Sequence, residues 1–171
     1  LYARLNIPVS PVPAGGFPLI VFAHGYSPDP YDPNYFQRPY YEAWINAYAQ
    51  AGFAVMMPGY RGHGVVDGDP AGGREFIERF SKRYLTTPFY VEDVLNLLAG
   101  LDSLNAIDWK AAGVDNLQKP LFDTHKRYIS AHSMGGDVAL AVLAAGGHFS
   151  AASIWAGVCA RVRDVVAFYT A

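Results

Sequence analysis

The residues Ala131-His132-Ser133-Met134-Gly135-Gly136 join an apolar strand pattern at 127–131 to an apolar helical pattern at 134–145. A strand that turns directly into a helix needs small side chains around the turn, and Ala131 and Gly135 supply them. In that context the Ser133 hydroxyl projects beyond the strand, where the helix N-terminus directs backbone N–H groups. The alternative is a chance turn in which Ser133 only caps the helix. The strand before it and the helix after it favour a nucleophile.

On both sides of this turn, short apolar runs alternate with amphipathic helical stretches, and no internal repeat is visible. The continuous apolar runs are typical of strands buried on both faces. Strands alternating with helices predict an α/β fold with a doubly wound, mostly parallel sheet. An antiparallel edge strand is expected at residues 2–9. The other predicted strands lie at 19–23, 53–57, 127–131 and 151–156, and the predicted helices at 41–49, 87–101 and 134–145, with a further helix beginning at 164–169.

Two motifs resemble the α/β-hydrolase superfamily of serine esterases and lipases. The Ser133 turn resembles its nucleophile elbow, with Ala131 in place of the usual first glycine, and His24-Gly25 at the end of the 19–23 strand resembles its oxyanion loop. The resemblance implies that Ser133 is the nucleophile and that the backbone N–H groups of Tyr26 and Met134 form the oxyanion hole. It also implies supporting roles in these motifs for His24, Gly25, Ala131, His132, Gly135 and Gly136.

Two loops add further candidate residues to this resemblance. Residues 60–64, Tyr-Arg-Gly-His-Gly, resemble a segment of hydrolases related to prolyl oligopeptidases. There Arg61 is expected to anchor the loop, and His63 to lie near the rim of the site or, alternatively, to contact substrate. The loop 26–41 is rich in aromatic residues, so it either lines an acyl or alcohol pocket or is stiffened by them. Its candidate pocket residues are Tyr31, Tyr35 and Phe36.

The acid and the base of a catalytic triad have no clear position in this sequence. In this fold they follow the serine, acid first and histidine last. After Ser133 the one histidine is His148, at the end of the elbow helix and away from the site, and Asp164 is a weak candidate for the acid. Residues 1–171 are therefore expected to be one partial α/β-hydrolase domain that lacks its C-terminal strands. A complementing C-terminal segment or a second chain would cover the apolar edge left by the 151–156 strand and supply acid and base.

Composition excludes several other classes. Of 171 residues, 51% are hydrophobic and 15% aromatic, which excludes a disordered chain. A net charge of −2 gives no basic surplus for nucleic acid. The uncharged stretch 138–160 is interrupted by Gly146 and Gly147, so no membrane span is predicted. With one cysteine, Cys159, and no cluster at ligand spacing, we expect no metal and no cofactor.

The resemblance thus predicts a carboxylesterase or lipase-like enzyme that cleaves small-molecule esters through an acyl-enzyme on Ser133. The isolated chain is expected to be inactive, because without a base the serine proton has nowhere to go. Two alternatives remain. One is a serine peptidase of the prolyl-oligopeptidase type, suggested by the 60–64 segment. The other is a hydrolase-fold binding module without catalysis.

Overall fold

A computed structural model describes residues 2–26, 41–66, 69–70, 87–157 and 167 of the chain. Five strands in these ranges form one sheet in the spatial order β1-β3-β2-β6-β7. Strands β2, β3, β6 and β7 are parallel, and β1 runs antiparallel to β3. The predicted doubly wound sheet and its antiparallel edge strand are therefore confirmed. The strands are β1 Tyr2–Asn6, β2 Phe17–Ala23, β3 Ala54–Gly59, β6 Phe122–His132 and β7 Ala151–Trp155, and a separate antiparallel pair is formed by β4 Val65–Val66 and β5 Asp69–Pro70.

Four helices lie among the described residues: α1 Glu42–Gln50, α2 Thr87–Ala99, α3 Leu101–Ala106 and α4 Met134–Ala144. On one side of the sheet, Ile45 of α1 packs against Ile20 and Phe22 of β2. On the other side, α2 and α4 pack against Leu19 and Val21. Burial on both faces explains why β2 and β3 are apolar without interruption.

Two elements differ most from the prediction. Strand β6 is longer than the run 127–131, because a register shift between Pro18 and Leu19 lets Phe122 and Asp123 pair with the start of β2. The helix predicted over 87–101 is interrupted at Gly100, and α3 follows as a separate helix. Neither change moves the end of β6, where the candidate nucleophile lies.

Strand β7 is the open edge of the sheet in the described part of the chain. It pairs with β6 on one side, from Tyr128↔Ala151 to His132↔Trp155. Four of its five residues are exposed, and the exposed fraction of Trp155 is 62%. The central strand β2, by contrast, has six of seven residues buried. None of the described helices is both long and apolar enough to cross a membrane.

Candidate active site

Ser133 forms the whole connection between β6 and α4, since the strand ends at His132 and the helix begins at Met134. Its backbone has φ 52° and ψ −123°. A residue other than glycine held in such a conformation costs about 1–3 kcal/mol, and this strain is typical of functional sites. Two backbone hydrogen bonds hold the turn: Ser133 N–H donates to the Trp155 carbonyl at 3.0 Å, and Gly136 N–H donates to the Ser133 carbonyl at 2.8 Å.

The first turn of α4 packs directly on the end of β2, and this contact requires glycine. A Cβ placed on Gly135 would lie 2.5 Å from the Ala23 carbonyl carbon and 2.7 Å from the His24 carbonyl oxygen. Both are backbone atoms, so no side-chain rotation relieves the overlap. The missing side chain of Gly135 therefore brings the helix N-terminus, with its Met134 N–H group, against the strand that leads to His24-Gly25.

The residues that resemble an oxyanion loop lie against this turn. A Cβ placed on Gly25 would lie 3.2 Å from the Ser133 Cβ and 3.3 Å from His132 Nδ1. Gly25 N–H donates to the Tyr41 hydroxyl oxygen at 2.9 Å, and that oxygen lies 3.0 Å from His132 Nδ1. The structure thus brings Gly25, His132 and Ser133 together, with Tyr26 one residue beyond Gly25 and 65% exposed.

His24 lies in the interior of the protein, behind this loop. Its side chain is fully buried, and Nδ1 lies 2.8 Å from the Gly25 carbonyl oxygen, which accepts the ring N–H. Burial, with the nearby His63 ring as a smaller cause, lowers the pKa of His24 from 6.5 to about 3. A neutral, buried ring that is hydrogen-bonded to the loop backbone fits an anchor for the loop better than a base.

His63, expected near the rim of the site, is also buried. Its exposed fraction is 3%, and its ring packs edge-on against Tyr90 at 5.5 Å and against His24 at 5.3 Å. Burial lowers its pKa from 6.5 to about 4. The spacing of histidine and tyrosine in the 60–64 segment did not reveal this cluster, because Tyr90 comes from α2. The burial favours a packing role for His63 over a substrate contact.

Arg61 anchors its loop, as expected, and its main partner is a residue whose burial the sequence did not indicate. The carboxylate of Asp93 accepts hydrogen bonds from Arg61 N–H and Nε, both at 2.9 Å, and from Nη2 at 2.6 Å. Arg61 Nη2 also pairs with Glu92 at 2.8 Å. Asp93 is 4% exposed, although the preceding residue along the helix, Glu92, has a largely exposed side chain. The charge of Arg61 explains why a carboxylate is tolerated there.

An aromatic cluster surrounds His132, the residue before Ser133. The ring centroids of Tyr41 and Trp44 lie 5.7 Å and 6.0 Å from that of His132. Trp44 also packs edge-to-face on Trp155 at 5.8 Å. The predicted helix at 41–49 contains Tyr41 and Trp44, and its pattern did not connect them with the turn at Ser133.

Other candidate residues lie away from the site or outside the described residues. The 11-residue helix α4 carries the chain about 16 Å from Ser133 to the loop that holds the exposed His148. Tyr31, Tyr35, Phe36 and Asp164 lie outside the residues that the structure describes. In the described ranges, no group of three or more histidine, cysteine, aspartate or glutamate side chains is arranged to hold a metal ion.

The fold is similar to solved structures of hydrolases. An acetyl xylan esterase from Paenibacillus sp. R4 matches with a TM-score of 0.59 and 19% identity, over 99% of this chain and 48% of that one. A Klebsiella pneumoniae protein assigned as a dienelactone hydrolase matches with a TM-score of 0.57 and 15% identity, over 93% and 55%. Esterase 2 of Thermogutta terrifontis, phosphonylated by cyclosarin, matches with a TM-score of 0.51 and 16% identity, over 96% and 54%.

The chain spans about half the length of each solved structure, 48% to 55%. At such low identities the similarity establishes the fold, and a fold hosts many activities. No protein-family model and no curated protein sequence matches the chain.

Proposed function

Because the chain has the α/β-hydrolase fold, we propose that it carries the nucleophile and the oxyanion loop of a serine hydrolase that cleaves carboxylic esters. The observation that carries this proposal is the strained backbone of Ser133, with φ 52°, directly beside Gly25. Strain of this kind persists only where the surrounding structure enforces it. Three features enforce it at Ser133. They are the packing of Gly135 on β2, the hydrogen bond to the Trp155 carbonyl, and the close approach of Gly25.

In the proposed reaction, Ser133 Oγ attacks the carbonyl carbon of the ester, and the carbonyl π electrons move to the oxygen. The backbone N–H groups of Tyr26 and Met134 hold the resulting oxyanion. The intermediate then expels the alcohol and leaves an acyl-enzyme, which water hydrolyses. A histidine outside this sequence, oriented by an aspartate or glutamate, takes the serine proton and returns it to the leaving alcohol. Each oxyanion donor is worth about 2.7–4 kcal/mol of barrier lowering.

The nearest alternatives differ in the bond cleaved or in having no catalysis. The 60–64 segment suggested a peptidase of the prolyl-oligopeptidase type. In the structure Arg61 and His63 of this segment have packing and anchoring contacts, which serve either substrate class. A binding module would use the turn only to connect the strand to the helix, and would not require the strained backbone of Ser133. Experiment therefore distinguishes the peptidase and the binding module from an esterase.

The test is fluorophosphonate labelling of the full-length protein, with Ser133→Ala as the control. The expected result is labelling at Ser133 that disappears in the variant, and the phosphonylated neighbour supports the choice of reagent. Wild-type full-length protein that has not been treated with the label should turn over p-nitrophenyl esters and leave aminoacyl amides intact; the reverse preference favours the peptidase. Absence of label in the full-length protein would support the binding module.

A second measurement tests the source of the acid and base. Residues 1–171 alone are expected to give no turnover of p-nitrophenyl acetate, since no partner accepts the serine proton. Rapid turnover that is lost in Ser133→Ala would contradict an external acid and base. It would leave the assignment of Ser133 intact.

A further inference from the structure

We propose that the Tyr41 hydroxyl is a positioning group for the oxyanion hole, tying the oxyanion loop to the nucleophile turn through Gly25 and His132. The inference rests on the proposed function and adds a residue to it. Tyr41 does not touch the reacting atoms. It would act by fixing the distance between the two backbone donors.

The hydroxyl bridges two segments that are distant in sequence. It accepts the Gly25 N–H at 2.9 Å and lies 3.0 Å from His132 Nδ1, residues 16 and 91 positions away. Gly25 and His132 each lie just before a segment that is proposed to donate a backbone N–H to the oxyanion. Tyr26 follows Gly25, and Met134 follows the Ser133 turn. A bridge between Gly25 and His132 therefore sets how far apart the two donors lie.

The direction of the hydrogen bond between Gly25 and Tyr41 is unambiguous. A backbone N–H can only donate, so the Tyr41 oxygen is the acceptor there. Its own hydrogen is then available for His132 Nδ1, which accepts it when the ring is protonated at Nε2. Burial raises the pKa of Tyr41 above its ordinary value of 10.0, so the hydroxyl keeps this hydrogen at neutral pH.

The ring that carries the hydroxyl is held by the core. The Tyr41 ring packs at 4.9 Å on Phe22, which is 0% exposed. Tyr41 also stands immediately before α1, whose Ile45 is fully buried on the same side of the sheet. A hydroxyl mounted on packed residues can hold a loop in place. The absence of a side chain on Gly25 leaves the space in which the hydroxyl lies, 2.9 Å from the position of a Cβ.

The discriminating experiment compares Tyr41→Phe with Tyr48→Phe in the full-length protein. Tyr48 is a matched control, because its hydroxyl also bridges two groups, Trp44 Nε1 at 3.2 Å and Ser130 Oγ at 3.0 Å, without touching Gly25. We expect the Gly25 amide to exchange hydrogen for deuterium at least about tenfold faster in Tyr41→Phe, because its acceptor is gone. Its exchange rate in Tyr48→Phe should stay at the wild-type value.

Kinetics should show a loss confined to the transition state. In Tyr41→Phe we expect kcat for a p-nitrophenyl ester to fall by about tenfold to a hundredfold with little change in KM, since a small misplacement of donors acts on catalysis. Affinity for a trifluoromethyl ketone, whose serine adduct mimics the tetrahedral intermediate, should fall by the same factor. His132→Phe keeps a ring at this position, removes the second hydrogen bond, and should give a smaller loss of the same kind.

Three outcomes would overturn the proposal: an unchanged kcat in Tyr41→Phe, an equal loss in Tyr48→Phe, or a change in KM alone. If Tyr41→Phe does not fold, the proposal stands or falls with the kcat of His132→Phe. Failure of the proposed function is a separate result. It appears as a wild-type protein that fluorophosphonate does not label at Ser133, and it would refute both ideas. Labelled wild type with an unaffected Tyr41→Phe refutes only the positioning role.

Discussion

Replacing Gly135 by alanine tests how closely α4 must approach β2 for the nucleophile turn to form. The added methyl group would lie 2.5 Å from the Ala23 carbonyl carbon and 2.7 Å from the His24 carbonyl oxygen, whereas ordinary contact begins at 3.4 Å. The backbone of a central strand cannot give way locally. The helix must therefore move away from the sheet by about 1 Å. A gap of this size removes up to about half of the dispersion energy of each contact.

The cost follows from what α4 buries at this contact. Val138, Ala139 and Val142 of the helix are all 0% exposed, so the retreat loosens contacts that are fully formed. Overpacking of this kind costs about 1–3 kcal/mol, and the severity of the overlap places it at the upper end. The higher helix propensity of alanine offsets up to about 1 kcal/mol of this cost. The net loss of folding stability is expected to be about 2 kcal/mol.

Urea unfolding of the purified chain measures this loss against Gly15→Ala. Gly15 has no atom within 4 Å of an added Cβ and no left-handed backbone angle, so its variant should match the wild type or gain slightly in stability. With a slope of about 2 kcal/mol per M, the midpoint of Gly135→Ala should fall by about 1 M. A midpoint within about 0.2 M of the Gly15→Ala value would refute the close approach as the reason for glycine.

The remaining predictions concern the two groups of buried charged or titratable side chains beside the site. Burial lowers the pKa of His24 to about 3 and of His63 to about 4, from 6.5. Below pH 6.5 the unfolded chain therefore binds protons at these rings that the folded chain does not bind. The free energy of unfolding should be highest above pH 6.5 and should fall toward pH 4 by about 1.4 kcal/mol per pH unit for each ring. Urea midpoints measured across this range should fall, and less steeply in His63→Gln; an identical slope in the variant would contradict the burial argument. Arg61→Met leaves the Asp93 carboxylate buried without its charged partner and should cost about 2 kcal/mol in unfolding experiments, whereas Glu92→Gln, at the exposed partner, should cost less than about 0.5 kcal/mol. Equal losses in the two variants would show that Asp93 is not the main partner.

The parts of the fold that could be predicted from sequence are those that depend on neighbouring residues. A strand buried on both faces is apolar along its length, so β2 and β3 were visible as runs. The turn at Ser133 required small residues at fixed offsets, and these are also local. The alternation of strands with helices then predicted a mostly parallel, doubly wound sheet.

The parts that could not be predicted depend on partners far along the chain. Asp93 is compatible with the core only because Arg61, 32 residues earlier, pairs with it. The helical period assigns a carboxylate to the polar face and carries no information about such a partner. Likewise, the predicted amphipathic helix at 41–49 does not reveal that the Tyr41 hydroxyl meets residues 16 and 91 positions away. Pairings of this kind arise from the strand order β3-β2-β6, which places the ends of β2 and β6 side by side.

The nucleophile turn is supported unequally from its two sides. On the open side, Ser133 N–H is held by the Trp155 carbonyl of β7, a strand with four of five residues exposed. On the other side, the turn meets Gly25 at the end of β2, which is almost completely buried. A single backbone hydrogen bond contributes about 0.5–1.5 kcal/mol net, so the bond to Trp155 cannot by itself maintain a strain of about 1–3 kcal/mol. The conformation of Ser133 must therefore be fixed mainly by β2, through the Gly135 contact and the Tyr41 bridge.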